Sequence, residues 1–152
     1  MKAKIATYGD IAQLTKLCKR LHAQSSWADL EFNPAHVRKN MMQIVRDPGM
    51  DVLAVKNDVG EFTGVLLATV DQFFICKKRY ATDIHFMCEQ GGIQLFAEFK
   101  RWAKQHGASK IIMGIANDDP ENKAARFYKM VGMRPVGDAW VMDLQESQEK
   151  AA

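Results

Sequence analysis

Residues Asp83 to Met133 read DIHFMCEQGGIQLFAEFKRWAKQHGASKIIMGIANDDPENKAARFYKMVGM, and the order of elements in this stretch decides the fold. Ile84, Phe86 and Cys88 alternate with His85 and Met87, which predicts a strand of period two. Gly91-Gly92 then opens a helix with the apolar stripe Leu95, Phe96, Phe99, Trp102 and Ala103. Glu98, Lys100, Arg101, Lys104 and Gln105 cover its other side, and Gly107 supplies the stop. Lys110 to Ile115 is a short apolar, β-branched run that predicts a buried strand. A polar loop, a short helix through Phe127-Tyr128 and a closing Val131-Gly132-Met133 follow.

Strand, glycine turn, helix and strand in this order converge backbone N–H groups at a helix N-terminus. Those orphan donors and the helix dipole together favour a phosphate. Here the stretch resembles the core of the GNAT superfamily, the acyl-CoA-dependent N-acyltransferases. Ala124, Phe127, Tyr128, Gly132 and Met133 match the family's A..(L/F)Y...G(F/M) element in residue type and spacing. The glycine turn matches less fully. Family turns usually read Arg/Gln-x-x-Gly-x-Gly/Ala; with Gly92 as the last glycine, Met87 stands at the basic or amide position and Gln90 at the first glycine. The segment from Phe86 to Gly92 is also short for the family loop. The resemblance implies that Gly91, Gly92 and the Ile93 amide hold the coenzyme A pyrophosphate.

N-acyl transfer needs a bound thioester, a deprotonated amine and a group that serves the departing thiolate. The resemblance puts Tyr128 beside the thioester, and a phenol with a pKa of about 10 is protonated at neutral pH and can donate to sulfur. By spacing alone Tyr128 is equally a core aromatic beside Phe127. For the base, Asp83 and His85 stand at i and i+2 of the predicted strand, which places them on one face. An imidazole next to a carboxylate could accept a proton from an ammonium. Family members often use a carboxylate on this strand or a neighbouring one, which leaves Asp83 and Asp71 both open; Asp83 also has Lys77, Lys78 and Arg79 as ion-pair partners within reach. The family's coenzyme-contacting asparagine aligns with Glu121, one place before Asn122, a residue that could instead cap the last helix with Asp118, Asp119 and Pro120. Asn117 is a further candidate. Lys123, Arg126 and Lys129 lie on the exposed side of that helix, where the resemblance implies contact with the adenosine 3′-phosphate.

Working outward, Lys4 to Thr7 predicts a first edge strand, and Asp10 an N-cap for a helix through about His22 carrying Ile11, Leu14, Leu17, Cys18 and Leu21. Asn33-Pro34 starts a second helix with Val37, Met41, Ile44 and Val45, ended by Asp47-Pro48-Gly49. In the family the connection between these helices helps to line the acceptor pocket; here it holds Trp27, Asp29, Leu30, Glu31 and Phe32. Acid plus aromatic could receive a cationic amine, or Trp27 and Phe32 could staple the two helices. Asp51–Lys56 and Glu61–Val70 predict a hairpin across Asn57–Gly60, with Gly64 marking a bulge or a close backbone approach. Asp71 to Thr82 reads as a strand end and loop, Ala139 to Leu144 as a last strand, and Gln145 to Ala152 as a polar tail.

The chain has 152 residues, 47% hydrophobic and 26% charged, with a formal net charge of +3. That composition is one of a globular chain with a single core, and the expected organisation is one domain over residues 1–144 followed by the tail. No apolar run approaches the roughly 20 residues of a membrane helix. MKAKIATYGD lacks the apolar core of a signal peptide. Cys18, Cys76 and Cys88 are odd in number and widely spaced, which argues against a zinc site and for a reducing cytoplasm. A nucleic-acid partner would rest on Lys77-Lys78-Arg79 alone, a cluster more in keeping with a solvated loop.

The expected fold is α/β, a mixed, largely antiparallel sheet of six or seven strands with helices on both faces. The expected function is acetyl-CoA-dependent N-acetyltransferase, moving the acyl group to a small-molecule or peptide amine by direct attack, in a monomer or a homodimer. The alternative is a GNAT-like module without catalysis, because compact versions resembling this chain occur among bacteriophage proteins, where a virion or host-interaction role is conceivable.

Overall fold

The computed structural model describes residues 1–115, 120–137 and 140–144. The chain divides into two compact units, Met1–Met113 and Gly114–Ala152. The first contains β1 (Lys2–Ile5), a 3-10 turn at Tyr8–Asp10, α1 (Ile11–His22), α2 (Pro34–Arg46), β2 (Met50–Lys56), β3 (Phe62–Gln72), β4 (Arg79–Cys88), α3 (Gly92–Gln105) and β5 (Ala108–Ile112). The second contains α4 (Lys123–Met130).

The five strands form one sheet in the order β1-β2-β3-β4-β5. Three neighbouring pairs are antiparallel, and β4 and β5 are parallel. A parallel pair needs a crossover, and α3 is that crossover. Strand alternation then divides the core. Val52, Ala54 and Val65 point to one face and pack with Ile11, Leu14, Leu17, Cys18 and Leu21 of α1 and Met41 and Ile44 of α2. Asp51, Leu53 and Val55 point to the other face by alternation. There the buried Trp102 of α3 donates its indole N–H to Asp51 at 2.8 Å, and Leu95, Phe96, Phe99 and Ala103 are buried beside it. Helices therefore cover both faces, as the apolar stripes imply.

The sheet has five strands among the described residues, not six or seven. Ala139 lies outside them, and Trp140 to Leu144, despite an alternating pattern, form no strand: Trp140, Val141, Met142 and Leu144 are 75–90% exposed. Alternation encodes a strand only where a partner edge is offered, and no strand pairs with residues 140–144 here. The segment 71–82 is also more ordered than a loop. β3 runs on to Gln72 and β4 begins at Arg79, with Gln72 opposite Arg79.

Start and stop signals behave as their chemistry requires. The Asn33 side chain accepts from the His36 N–H at 3.0 Å, with Pro34 in the first turn of α2. Gly107 after α3 and Gly60 in the β2–β3 turn have positive φ, +72° and +86°. Asp10 stands at the head of α1 but its side chain does not cap that helix. Its carboxylate turns back to the Thr7 N–H at 2.9 Å and the Lys4 ammonium at 2.7 Å, closing the 3-10 turn instead. Although burial alone would raise its pKa, Lys4 and Thr7 together hold it below the ordinary carboxylate value.

One charge asymmetry follows from these boundaries. Helices α1 and α2 carry Lys16, Lys19, Arg20, Arg38, Lys39 and Arg46 and not one Asp or Glu. All six of these residues are exposed.

Candidate active site

Three residues, Glu89, Gln90 and Gly91, connect β4 to α3, and the sheet itself braces them. Pairing between β2 and β3 jumps from Val55 opposite Gly64 to Lys56 opposite Phe62, leaving Thr63 as a bulge. The bulged Thr63 is buried. Its carbonyl accepts from the Glu89 N–H at 2.8 Å and its hydroxyl donates to the Gln90 carbonyl at 2.9 Å. The Cys88 thiol donates to the same carbonyl at 3.0 Å. Gly91 has φ +84°, and a Cβ there would lie 2.7 Å from a Val55 methyl, so glycine is required twice over. Gly64 makes the close approach its position suggests: a Cβ there would meet the Cys88 sulfur at 2.6 Å.

With the turn's carbonyls occupied this way, α3 begins at Gly92 with no side-chain cap. The N–H groups of its first turn, Gly92 and Ile93 among them, have no intrahelical acceptor and carry the positive end of the helix dipole. The Ile93 side chain is 55% exposed. Glu89 would put a negative charge next to this terminus, but Arg20 grips it with two bonds of 3.0 Å, Nε to Oε1 and Nη2 to Oε2. That pairing lowers the Glu89 pKa and raises that of Arg20.

β4 leads into the turn, and beyond Thr82, the last residue paired with β5, it runs on to Cys88 while β5 ends at Ile112. Asp83 is the first residue past that point. A second bulge lies here. Ala68 pairs with Asp83 and Leu67 with His85, so Ile84 is an extra residue in β4. Ala68 and Leu67 are neighbours on β3 and point to opposite faces. Asp83 and His85 therefore lie on opposite faces, not one, because the bulge cancels the i, i+2 rule.

His85 is on the face of Leu67, toward α1 and α2, and half-buried. Burial, with a contribution from His22, pushes its pKa below the ordinary value of 6.5. Asp83, also half-buried, is on the face of Leu66 and Ala68. Asp71 is exposed near the far end of β3 and accepts the Gln72 N–H at 2.7 Å.

In the second unit, the Tyr128 hydroxyl donates to the Gly114 carbonyl at 2.9 Å. Asn122 sits at the head of α4 in a left-handed conformation, φ +52°, and its side chain makes no cap bond. The Arg126 N–H bonds the Asn122 carbonyl at 3.0 Å, and the Arg126 side chain is exposed. Lys123 pairs with Glu121 at 2.9 Å. Asn117, Asp118 and Asp119 lie outside the described residues.

The fold can now be compared. No family model and no curated protein sequence matches the chain, but solved structures do. A probable acetyltransferase matches with a TM-score of 0.76 at 14% identity, covering 97% of this chain and 100% of that one. An aminoglycoside 6′-N-acetyltransferase from Acinetobacter haemolyticus matches with 0.71 at 13%, covering 97% and 100%. A transcriptional regulator from Bacillus halodurans C-125 matches with 0.75 at 20%, covering 94% and 99%. This is the GNAT fold.

Within the GNAT fold, part of the motif that carries the resemblance has a local explanation. The Met133 N–H bonds the Tyr128 carbonyl at 2.9 Å and the Gly132 N–H bonds that of Lys129 at 3.1 Å, with Gly132 at φ +91°. That is a Schellman stop, so Gly132 and Met133 end the helix. Sequence reading missed Thr63, Cys88 and the Arg20–Glu89 pair as supports of the GNAT turn. Gly64 was the one available signal, and nothing in the strand pattern betrays the bulge at Ile84. Burial raises the thiols, Cys18 to about 12 and Cys88 to about 11, so neither is a thiolate nucleophile at neutral pH. Among the described residues no cluster of His, Cys, Asp and Glu could hold a metal ion. A shallow cleft of about 290 Å³, lined by Tyr8, Ile11, Ala12, Arg38 and Met42, includes none of the site residues.

Proposed function

We propose that this chain is an acetyl-CoA-dependent N-acetyltransferase acting on a primary amine carried by a small molecule or a peptide. The observation that supports it best is the β4–turn–α3 unit. A strand that runs on past Thr82, its last residue paired with β5, leads straight into a braced turn and an uncapped helix N-terminus. Acyl-CoA carries the complementary group, a pyrophosphate for the N–H groups of Gly91, Gly92 and Ile93. Asn122 and Arg126 would meet the coenzyme's outer part, with Arg126 serving a phosphate.

The amine attacks the thioester carbon, the C–S bond breaks, and the leaving thiolate takes a proton from Tyr128. The Tyr128 proton lies toward Gly114, and a turn about the Cζ–O bond redirects it to sulfur. His85, neutral by burial, is the better placed proton acceptor if the amine enters from the α1–α2 face; Asp83 serves if it enters from the other. The raised pKa values of Cys18 and Cys88 disfavour those two thiols as acyl carriers.

A second reading, a binding module without catalysis, has its own support. Met87 and Gln90 replace the usual basic and glycine residues of the turn, and a transcriptional regulator shares the fold. Titration with acetyl-CoA, free CoA and ATP, by calorimetry and thermal melting, separates the two. A ligand of the folded state at 100 times its Kd adds about 2.7 kcal/mol, or about 5–11 °C for a chain of this size. Acetyl-CoA and CoA should both stabilise and ATP much less. No binding at millimolar acetyl-CoA removes the enzyme reading.

A further inference from the structure

The β3–β4 hairpin ends in a feature that neither the core nor the turn explains. The Phe73 N–H bonds the Lys78 carbonyl at 2.9 Å and the Cys76 N–H bonds the Phe73 carbonyl at 3.3 Å, closing a short loop, Phe74-Ile75-Cys76-Lys77. Such loops favour Gly, Asn, Asp, Ser and Pro for their backbone freedom and their solubility. This one has none of them. Phe74 is 104% exposed and Ile75 86%, and after Cys76 come Lys77, Lys78 and Arg79. Single exposed apolar residues are ordinary; here two stand side by side at the apex of a hairpin, with cations in the same loop.

The base of the hairpin is fixed. Phe73 and Tyr80 rings lie 4.9 Å apart, Arg79 donates to the His106 carbonyl at 3.1 Å, and Ser109 donates to the Arg79 carbonyl at 3.1 Å. The apex is therefore held away from the sheet. No carboxylate lies between Asp71 and Asp83 in the sequence.

We propose that this apex docks on an anionic lipid surface, Phe74 and Ile75 entering the interface and Lys77 and Lys78 meeting the headgroups. Charge and shape together favour this occupant. A projecting knob enters a fluid apolar layer without a pre-shaped pocket, and the amines sit one residue behind it, where the headgroup phosphates lie. A second copy meeting it apex to apex would set lysines against lysines. No described helix is long and apolar enough to cross a membrane, and interfacial docking needs none. The proposal is independent of acyl transfer.

Cosedimentation of the whole chain with vesicles tests it, using phosphatidylcholine alone and phosphatidylcholine with phosphatidylserine. Binding to the anionic vesicles should be roughly 30-fold tighter, about one kcal/mol for each of two lysines, and should weaken with salt. Phe74→Ser/Ile75→Ser and Lys77→Gln/Lys78→Gln should each reduce it by roughly tenfold or more. Both should melt with the parent, since these side chains are exposed. Absence of binding to anionic vesicles at low salt overturns the proposal, as does equal binding by the Ser/Ser variant. Two parallel measurements can overturn it as well: sedimentation equilibrium, if the Ser/Ser change converts an oligomer to a monomer, and anisotropy with single-stranded or duplex DNA, if the apex variants lose DNA binding and the parent ignores vesicles.

Discussion

At the scale of single residues, Tyr128 and His85 make the sharpest claims. The Tyr128 hydroxyl donates to the Gly114 carbonyl and has a proposed role at the thiolate. Tyr128→Phe removes both, and the two losses are separable. Losing the bond should lower stability by about 1 kcal/mol. Losing the general acid should lower kcat by roughly 100-fold or more with acetyl-CoA affinity nearly unchanged. A variant with unaltered kcat would remove Tyr128 from the mechanism. His85 makes a claim about pH. Its folded-state pKa lies below 6.5, so on acidification the unfolded chain takes up the proton first. Stability from keeping this ring neutral is fully present above the folded and unfolded values and is lost as pH falls below about 6.5 toward the folded value. Melting temperatures of the parent should fall over that window more steeply than those of His85→Gln, and parallel curves would refute the assignment.

At the scale of elements, the turn before α3 separates packing from ligand contact. Gly92→Val should weaken acetyl-CoA binding far more than it disturbs folding, because a branched side chain would crowd the N–H groups at the helix start; unchanged binding in calorimetry would move the phosphate site elsewhere. Glu89→Gln should tighten acetyl-CoA binding by roughly twofold to fivefold at low salt, since it removes an anion beside the helix terminus and frees Arg20. Weaker binding would mean that the Arg20 fork is needed to shape the turn. The pattern of residues made these elements readable in unequal measure. Asn33-Pro34, Gly107 and the stripe from Leu95 to Ala103 act through local physics, and each appears where its chemistry places it. The two bulges do not act locally. Thr63 and Ile84 become extra residues only because a partner strand has a competing register, so the face of His85 could not be read from its own neighbours. Residues 140–144 of the expected last strand form none for the same reason, since alternation describes a willingness to pair and no partner.

At the scale of the whole molecule, the α/β class, the two covered faces and the order of elements were legible from apolar periodicity, while the count of six or seven strands was too high by at least one among the described residues. The acceptor was not legible, because specificity resides in side chains that the fold does not dictate. The cations of α1 and α2 other than Arg20, which Glu89 neutralises, have no carboxylate among them on these helices and nonetheless bear on it through the ionic atmosphere. An acceptor amine reaching the α1–α2 face does so through a positive potential, so a polycation is slowed on approach and an amine on an anionic carrier is drawn in. On the acetyltransferase reading, added salt should raise kcat/KM for polycationic acceptors and lower it for anionic ones, measured at saturating acetyl-CoA. Slopes of the same sign for both would show that the acceptor never passes over these helices; opposite slopes would make charge, before any contact, the first filter on which amines this chain accepts.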